Sequence, residues 1–548
     1  MVQVGSLSPA VCYACDVAKI HASAWRFTLL SAVLQILIFP LPGLYWLAWI
    51  ALAPLQVALL RARVPESLQV NAGVRLIPAS PWQGFLLSYG CGILWYVGTC
   101  YWIYDTMHRY GGVPVAAAAL ILLAFSMYLA LYHGAFGLLF ALLARAKSSR
   151  AALLAGPFLW VALELARTRI TAFPWNLLGY AQTENTTLTR IASLTGVYGL
   201  SFEIMLVNSA FAAAFVVARE RRRGLLIAAL VAALVLQAGK FVAPDSPSTD
   251  KTALLLQSNI PVQENWTADY FQGTLRDLSW ISLHPPAAKE GQRFDLIVWP
   301  ESPSPFFLND PGFRDVVDGL ARQSQTWILT GSIGVDSASA LTQRKSEVFN
   351  SAGLINPSGQ LIARYDKVHL VPFGEYVPFK NVLPFMDMLT QQVGDFVHGR
   401  SRAPLNAGGQ RLGMSICYES IFPDEVRQSA RLGADVLVNI SNDGWYGDSG
   451  AWKQHLLMTQ MRAVENGRWL LVATNTGITA SVDPYGRIVT ATGRKLRTAL
   501  EAPYALESRT TFYTRHGDWF AYLCAIISLS AIGARVLKKE LGVSSQQK

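Results

Sequence analysis

Charged residues are scarce in this chain of 548 residues. Only 15% are Asp, Glu, Lys or Arg, whereas 52% are hydrophobic, and the mean hydropathy is +0.29. A soluble domain usually has about 25% charged residues, so this composition excludes a wholly soluble protein. Long polar tracts are also missing before the short Ser/Gln tail, which excludes a disordered chain. The sequence therefore predicts a membrane protein with more than one domain.

Motifs for metal ions and nucleotides are missing as well. The eight histidines include no HExxH pair, no Cys/His ligand spacing occurs, and no Gly-x4-Gly-Lys-Ser/Thr loop is present. Cys12 and Cys15 form a single CxxC pair, which we interpret as incidental. The sequence predicts no metal site and no cofactor.

The formal net charge of +10 does not indicate nucleic-acid binding, because the excess of positive charge lies outside the polar part of the chain. Between Val242 and His516 there are 25 Lys and Arg against 27 Asp and Glu, so this polar stretch is close to neutral. The positive excess belongs to the hydrophobic remainder, where it is expected to set membrane topology.

Eight apolar runs approach the roughly 20 residues that a membrane-spanning helix needs. Seven precede the long polar stretch and one follows it, and the first and fifth are the shortest. The runs are Phe27–Phe39, Leu44–Leu60, Trp82–Ile103, Val113–Leu143, Ala151–Leu165, Ile191–Ala218, Gly224–Val242 and Trp519–Val536.

Lys and Arg in the connections predict the orientation of these runs. One side of the membrane receives four groups of basic residues, around Arg61, Arg145, Arg219 and Lys538. The other side receives only Arg109, Arg167, Arg169 and Arg190. Because cytoplasmic loops collect Lys and Arg, both termini are predicted to be cytoplasmic. We expect residues 1–242 to form a transmembrane bundle of about seven spans, residues 243–516 an extracytoplasmic domain, and residues 517–548 the last span and a cytoplasmic tail.

The outer domain alternates strand and helix patterns. Short apolar runs such as Leu296–Val298, Leu412–Cys417 and Val436–Ile440 predict strands, and His455–Asn466 has a helical pattern. Asn356–Gly359 has the composition of a hairpin turn. The mixture predicts a layered α/β domain.

Cys417 is the only cysteine of the outer domain, so it has no disulfide partner there. It is therefore either buried and inert or a nucleophile. It ends a predicted strand just before a turn towards a helix, where a side chain is presented and backbone N–H groups can hold an oxyanion. His369 and His455 are the plausible histidine partners, but neither lies in a recognisable cysteine-protease pattern.

Two further segments place charges in apolar surroundings. Phe294–Ser302 is a β run that presents Glu301 at its end, and Arg364–Pro378 contains Lys367 and Glu375. Taken singly, Glu301 is typical of a solvated cap and Lys367 of a surface charge.

Taken together, Glu301, Lys367 and Cys417 resemble the Glu-Lys-Cys triad of the nitrilase, or carbon–nitrogen hydrolase, superfamily. The resemblance extends over VWPES, YDKVHLVPFGEYVP, GMSICYESIFPD and NDGWYGD. With seven apolar runs before these segments and one after them, nearly the whole chain resembles the membrane-anchored apolipoprotein N-acyltransferase family. This implies a membrane α-helical bundle of about eight spans plus an extracytoplasmic nitrilase-like α/β sandwich.

The resemblance implies a reaction in two steps. Cys417 attacks an acyl ester of a membrane phospholipid, typically phosphatidylethanolamine, and forms a thioester. The α-amine of the diacylglyceryl-modified N-terminal cysteine of an apolipoprotein then takes the acyl chain as an amide, which is the last step of bacterial lipoprotein maturation. The implied location is the inner membrane, with the catalytic domain in the periplasm.

The resemblance also implies a role for each triad residue. Glu301 would be the general base that takes the proton of the Cys417 thiol and later that of the attacking amine. Lys367 would stay cationic and stabilise the tetrahedral oxyanion together with the backbone N–H of Tyr418.

Five further residues receive roles from the same resemblance. Glu375 would be a second essential carboxylate that orients Lys367 or offsets its charge. Tyr418 and Glu419 would support the nucleophile. Trp266 and Trp445 would bind substrate, although hydrophobic packing or an interfacial aromatic belt would equally account for two tryptophans.

Three apolar segments are candidates for contact with lipid. Phe379–Leu389 and Pro303–Leu308 are expected either to form a lid towards the bilayer or to pack inside the sandwich, and Phe173–Tyr180 would line the path of the lipid.

Two other function classes compete with the acyltransferase. A membrane-tethered amidase would use the same triad on a small soluble amide, but the preceding spans and apolar segments argue against it. A transporter with an accessory outer domain would show broken spans in matching halves, which this sequence lacks.

Overall fold

The computed structural model describes most of the chain. The described residues are 20–64, 76–146, 148–242, 245, 247–262, 265–287, 291–302, 305–336, 346–376 and 396–546. The predicted lid segment Phe379–Leu389 lies outside them.

The N-terminal region is helical. Each of the seven apolar runs before the polar stretch overlaps one of its helices. These are α1 (Ala22–Leu37), α2 (Ala53–Leu60), α3 (Pro81–Thr99), α4 (Trp102–Asp105), α5 (Val115–Ala146), α6 (Ser149–Ile170), α7 (Ala192–Thr195), α8 (Val197–Ala213) and α9 (Arg219–Ala238).

Three described helical segments are long and apolar enough to cross a membrane: Val115–Arg145, Ser149–Ile170 and Arg219–Phe241. Four other apolar stretches span 10–17 described residues: Ala22–Leu37, Tyr45–Leu60, Val197–Ala213 and Trp519–Ala534, of which the last is the first part of a helix that continues to Gln546. At 1.5 Å per residue, 16 residues reach about 24 Å, less than the hydrocarbon thickness of about 30 Å. The apolar helices are confirmed, whereas the number of spans and their orientation stay predictions.

Helices α3 and α5 approach closely because glycines face each other. A Cβ on Gly84 would lie 2.4 Å from the carbonyl oxygen of Gly137, and a Cβ on Gly137 would lie 2.1 Å from that of Gly84. Small residues allow such an approach between helices in a bundle. Helix α3 itself begins with a capping box formed by Ser80 and Gln83.

Residues 251–504 contain two six-stranded sheets. The first has the order β12-β1-β2-β3-β4-β5 and the second β11-β10-β9-β8-β7-β6. The strands are β1 (Lys251–Gln257), β2 (Leu296–Val298), β3 (Trp327–Asp336), β4 (Glu347–Ile355), β5 (Leu361–Asp366), β6 (Leu405–Ala407), β7 (Gln410–Ile416), β8 (Val436–Ser441), β9 (Leu470–Thr474), β10 (Ala480–Val482), β11 (Ile488–Ala491) and β12 (Thr498–Tyr504).

Alternate residues along the strands of the first sheet lie on its two faces and belong to different hydrophobic cores. Leu255 and Val298 of the first sheet share one core with Met414 and Val438 of the second, so the sheets pack face to face. On the other face of the first sheet, residues such as Ile297 contact two helices. The predicted layered α/β domain is therefore confirmed, with helices outside two central sheets.

The remaining helices flank the sheets or follow them. They are α10 (Ala268–Leu283), α11 (Pro311–Ser324), α12 (Pro423–Arg431), α13 (Ala451–Asn466), α14 (Phe512–His516) and α15 (Trp519–Gln546). The helical pattern predicted over His455–Asn466 is correct in kind but begins four residues earlier. In Pro303–Leu308, Phe306 and Leu308 are buried in the core between the first sheet and its helices.

Helix α13 joins the sandwich to the membrane bundle. The side-chain amide of Gln454 donates to the carbonyl oxygens of Pro40 at 3.1 Å and Thr99 at 3.3 Å. Its oxygen accepts from the indole N–H of Trp175 at 2.7 Å. Trp175 belongs to the predicted lipid-path segment Phe173–Tyr180, and its side chain is buried at this junction.

Candidate active site

The candidate site lies where several strands end at one edge of the sandwich. Strands β2 and β3 are parallel, and two antiparallel pairings make β5 parallel to them. Strands β7 and β8 are parallel in the second sheet. Glu301, Lys367 and Cys417 each follow one of these strands, β2, β5 and β7. The carboxyl ends of parallel strands are a common place for a ligand site in α/β folds.

Glu301 is buried and held at both carboxylate oxygens. Its Oε2 accepts from the backbone N–H of Asn442 at 2.7 Å, and its Oε1 accepts from the Asn350 amide at 2.8 Å. Gly331 on β3 makes room for this segment, since a Cβ there would lie 2.2 Å from the Pro300 carbonyl oxygen. Glu301 is therefore fixed by a backbone contact from the second sheet and a side-chain contact from the first.

Lys367 lies between two carboxylates and is only 1% exposed. Its Nζ is 2.8 Å from Glu375 Oε1 and 3.6 Å from Glu301 Oε1. Burial alone lowers the pKa of Lys367, but the Glu375 and Glu301 charges outweigh it, so the pKa lies above its ordinary value. Lys367 therefore stays cationic at neutral pH, as oxyanion stabilisation requires.

Asn350 connects the two carboxylates that contact Lys367. Its amide nitrogen donates to Glu301 Oε1 at 2.8 Å and to Glu375 Oε1 at 2.7 Å. The second oxygen of Glu375 accepts from the backbone N–H of Val371 at 2.8 Å. Because this asparagine lies within the regular pattern of strand β4, the sequence analysis overlooked it.

Cys417 begins a 3₁₀ turn directly after β7, and its φ is +51°. This left-handed conformation is uncommon for a residue with a Cβ. Burial raises the pKa of the Cys417 thiol, the Glu301 charge raises it further, and Lys367 opposes both. The resting group is thus a protonated thiol that needs a base at the moment of attack.

Glu419 ties the Lys367 segment to the nucleophile turn. One carboxylate oxygen accepts from the backbone N–H groups of Val368 and His369, at 2.7 and 2.9 Å. The other accepts from the backbone N–H of Ile416 at 2.8 Å and from the Tyr365 hydroxyl at 2.9 Å. Glu419 is fully buried, so it acts on the site by holding its backbone.

The aromatic residues with predicted roles lie in three different environments. Tyr418 is buried, and its ring centroid is 5.2 Å from that of Phe422. Trp266 belongs to an aromatic cluster with Phe306, at 5.9 Å between ring centroids. Trp445 is 45% exposed and packs edge-on against Tyr110 of the membrane region.

His455, one of the two histidines considered as partners for Cys417, contacts the backbone of the nucleophile. Its Nε2 is 3.1 Å from the Cys417 carbonyl oxygen, and its Nδ1 is 3.0 Å from Asp443 Oδ1. Asp443 lies within the NDGWYGD segment. The sequence indicates that segment only as a whole and assigns no role to this residue. His369 instead pairs with Glu425, at 2.8 Å.

The assembled groups suit acyl transfer through a thiol. A buried cysteine, a fixed carboxylate and a permanent cation supply a nucleophile, a base and oxyanion stabilisation. Among the described residues, no group of three or more His, Cys, Asp and Glu could hold a metal ion.

Two family models match this chain. The carbon-nitrogen hydrolase model matches residues 232–510, and the model of the apolipoprotein N-acyltransferase N-terminal domain matches residues 31–210.

Full-length relatives resemble the chain along most of its length. The apolipoprotein N-acyltransferase of Geobacter metallireducens is 37% identical over 521 residues, which are 93% of this chain and 94% of that protein. The corresponding protein of Photobacterium profundum is 31% identical over 505 residues, 89% of this chain and 90% of that protein. Among solved structures, an amidase from Nesterenkonia sp. AN1 of the nitrilase superfamily is 19% identical with a TM-score of 0.36, covering 51% of this chain and 99% of that chain.

Proposed function

Since this chain belongs to the apolipoprotein N-acyltransferase family, we propose that it transfers a fatty acyl chain from a membrane phospholipid to the α-amine of the diacylglyceryl-modified N-terminal cysteine of apolipoproteins. The observation that carries this proposal is the site itself. Cys417 lies on a turn with a left-handed φ, and its thiol interacts electrostatically with Glu301 and with Lys367, which lies between two buried carboxylates.

In the first step, Glu301 takes the proton of the Cys417 thiol as the sulfur attacks the ester carbonyl carbon of the phospholipid. Lys367 and the backbone N–H of Tyr418 stabilise the negative charge on the carbonyl oxygen. The ester C–O bond then breaks, and Glu301 returns the proton to the leaving oxygen. The products are a thioester on Cys417 and a lysophospholipid.

In the second step, the α-amine of the apolipoprotein attacks the thioester carbonyl. Glu301 takes the proton that the amine loses as the C–N bond forms. The C–S bond breaks, the sulfur recovers a proton from Glu301, and the product is an amide. A thioester divides one difficult transfer into two easier steps.

We further propose phosphatidylethanolamine as the donor and a bilayer arrangement of about eight spans. In this arrangement residues 1–242 form the N-terminal bundle, 243–516 the periplasmic catalytic domain, and 517–548 the last span and cytoplasmic tail. The distribution of Lys and Arg and the apolar helices of the first 242 residues support it. Trp266 and Trp445 are proposed to contact substrate, and Glu375, Tyr418 and Glu419 to support the triad.

The test of the reaction uses the full-length protein in detergent with phosphatidylethanolamine. We expect the intact mass of the wild type to increase by one fatty acyl group, and hydroxylamine to remove it. Cys417→Ala should gain no mass. Adding a diacylglyceryl peptide should discharge the acyl group onto its amine, whereas release of free fatty acid alone would indicate a hydrolase. Absence of any Cys417 adduct would overturn the proposal.

The test of the topology uses single introduced cysteines in intact cells. Ser358→Cys in the exposed β4–β5 turn should react with a membrane-impermeant maleimide from outside the inner membrane. Glu220→Cys, at the basic start of α9, should react only after the membrane is opened. The reverse pattern would contradict the proposed orientation.

A further inference from the structure

The backbone of Cys417 is held through its carbonyl oxygen. This oxygen lies 3.1 Å from His455 Nε2 and 3.4 Å from the Asn439 amide nitrogen. The Ser420 hydroxyl donates to it at 3.0 Å. Because Cys417 has a left-handed φ of +51°, its surroundings must hold a conformation that the residue would otherwise avoid.

Both ring nitrogens of His455 have a hydrogen-bond partner. A carbonyl oxygen only accepts, so Nε2 must carry a proton to hold the Cys417 carbonyl. On the opposite side of the ring, Nδ1 lies 3.0 Å from Asp443 Oδ1, an oxygen that also accepts from the Ser441 hydroxyl at 2.7 Å. A carboxylate oxygen also only accepts, so the ring that makes both contacts carries a proton on each nitrogen and is paired with the Asp443 carboxylate, which fixes its orientation. Nε2 also lies 3.0 Å from the Ser420 hydroxyl oxygen, which itself donates to the Cys417 carbonyl.

The membrane region also contacts the His455 ring. Trp175 is stacked parallel to His455, with 5° between the ring planes and 6.4 Å between the centroids. The indole N–H of Trp175 donates to Gln454, the residue before His455 on α13. His455 is 2% exposed. The ring is thus fixed by the sandwich through Asp443 and by the bundle through Trp175.

We propose that His455 is a positioning residue for the nucleophile: as a donor to the Cys417 carbonyl, oriented by Asp443 and packed under Trp175, it keeps the thiol aimed at the ester carbonyl. His455 does not touch the reacting atoms. This inference rests on the proposed role of Cys417 and adds to it a contact through which the membrane region sets the geometry of the catalytic turn.

Two substitutions separate this role from simple packing. In His455→Gln the amide nitrogen can take the place of Nε2 and donate to Cys417, whereas in His455→Asn it reaches only the position of Nδ1. The rate of thioester formation would be followed by intact mass at several phosphatidylethanolamine concentrations. We expect His455→Asn to slow acylation about 30-fold and His455→Gln by no more than about threefold, with KM unchanged in both.

Equal acylation rates in the two variants would overturn the inference. If His455→Asn fails to fold, Asp443→Asn provides the test, because it keeps the size and the acceptor oxygen but removes the charge. Acylation about five- to tenfold slower at unchanged KM is expected, and a wild-type rate would overturn the inference. Absence of a Cys417 adduct in the wild type would instead refute the proposed function itself, so the two failures are distinguishable.

Discussion

Glu301 has two effects on Cys417 that act in opposite directions. In the proposed mechanism it is the base that removes the thiol proton, but its charge also raises the pKa of that thiol. Lys367 opposes this effect and is itself kept cationic by Glu301 and Glu375. The raised pKa keeps the thiol protonated at rest, and in the proposed mechanism the thiol loses its proton as it attacks the substrate.

Glu301→Gln should separate these two effects. Removing the charge lowers the pKa of the Cys417 thiol, so a larger thiolate fraction exists at pH 8. Alkylation of Cys417 by iodoacetamide should then become about tenfold faster per unit of pKa change, while acylation is lost. In the wild type, alkylation should keep rising with pH up to about pH 9 without a plateau. Peptide mapping measures both rates, and slower alkylation in Glu301→Gln would contradict this account.

Asn350→Asp should inactivate the site without removing a triad residue. The new carboxylate would face Glu301 Oε1 and Glu375 Oε1, where the amide now donates to both. Repulsion between the new carboxylate and those of Glu301 and Glu375 changes the protonation of these three side chains. We therefore expect acylation about 100-fold slower at pH 7. Asn356→Asp in the β4–β5 turn is the matched control, because its Oδ1 accepts from two backbone N–H groups and its amide donates to the exposed side chain of Gln360 instead of to a carboxylate. Wild-type acylation in Asn350→Asp would refute the role of this residue.

Among the elements, the α3–α5 pair depends on close contact between helices. Gly84 and Gly137 each lie against the carbonyl oxygen of the other, at distances that leave no space for a Cβ. The same helix α3 carries Gly90, where an added Cβ would meet only Trp25, at an ordinary 3.8 Å. In helix α3, Gly84 therefore leaves no room for a larger side chain, whereas Gly90 does.

Gly137→Ala should destabilise the bundle, whereas Gly90→Ala should not. Overpacking a tight contact costs about 1–3 kcal/mol, and Ala stabilises an unobstructed helix position by about 0.5–1 kcal/mol relative to Gly. We expect the apparent Tm in detergent to fall by at least about 3 °C in Gly137→Ala and to stay constant or rise in Gly90→Ala. Thermal unfolding followed by tryptophan fluorescence measures both, and equal Tm values would argue against the close contact.

At the scale of the whole molecule, the membrane bundle and the sandwich meet at α13. Gln454 contacts three segments of the membrane region, and the next residue, His455, contacts the nucleophile turn. A second link is the ion pair between Arg169 at the end of α6 and Asp424 of α12, at 3.2 Å. The helical N-terminal region therefore contacts the sandwich close to the Cys417 turn.

Gln454→Glu should weaken this junction. The new carboxylate oxygen would face the carbonyl oxygens of Pro40 and Thr99, which now accept from an amide. An unsatisfied buried charge costs several kcal/mol, so we expect a lower apparent Tm together with slower acylation. Lys453→Ala is the matched control, because its side chain is 41% exposed and lies 3.8 Å from an exposed Glu184. A Gln454→Glu protein with the wild-type Tm and rate would contradict this coupling.

The sequence by itself determined the class of protein and the principal residues of the candidate site. Composition and apolar runs indicated membrane helices, and strand patterns indicated a layered α/β domain. Glu301, Lys367 and Cys417 were identified because the contiguous segments that contain them resemble those of the nitrilase superfamily, whereas their positions after strands alone would have suggested a cap or a surface charge for the first two. Such signals are local along the chain and need no knowledge of which segments meet.

The tertiary structure alone decided which other residues complete the site. Asn350, Asp443 and His455 come from separate elements, and their partners lie up to 49 residues away in sequence. The sequence left His455 as one of two plausible partners for Cys417 and gave the strand asparagine no distinctive pattern, because the contacts of both arise only where the two sheets and the bundle meet. The same packing put Trp175 of the membrane region against the ring of His455.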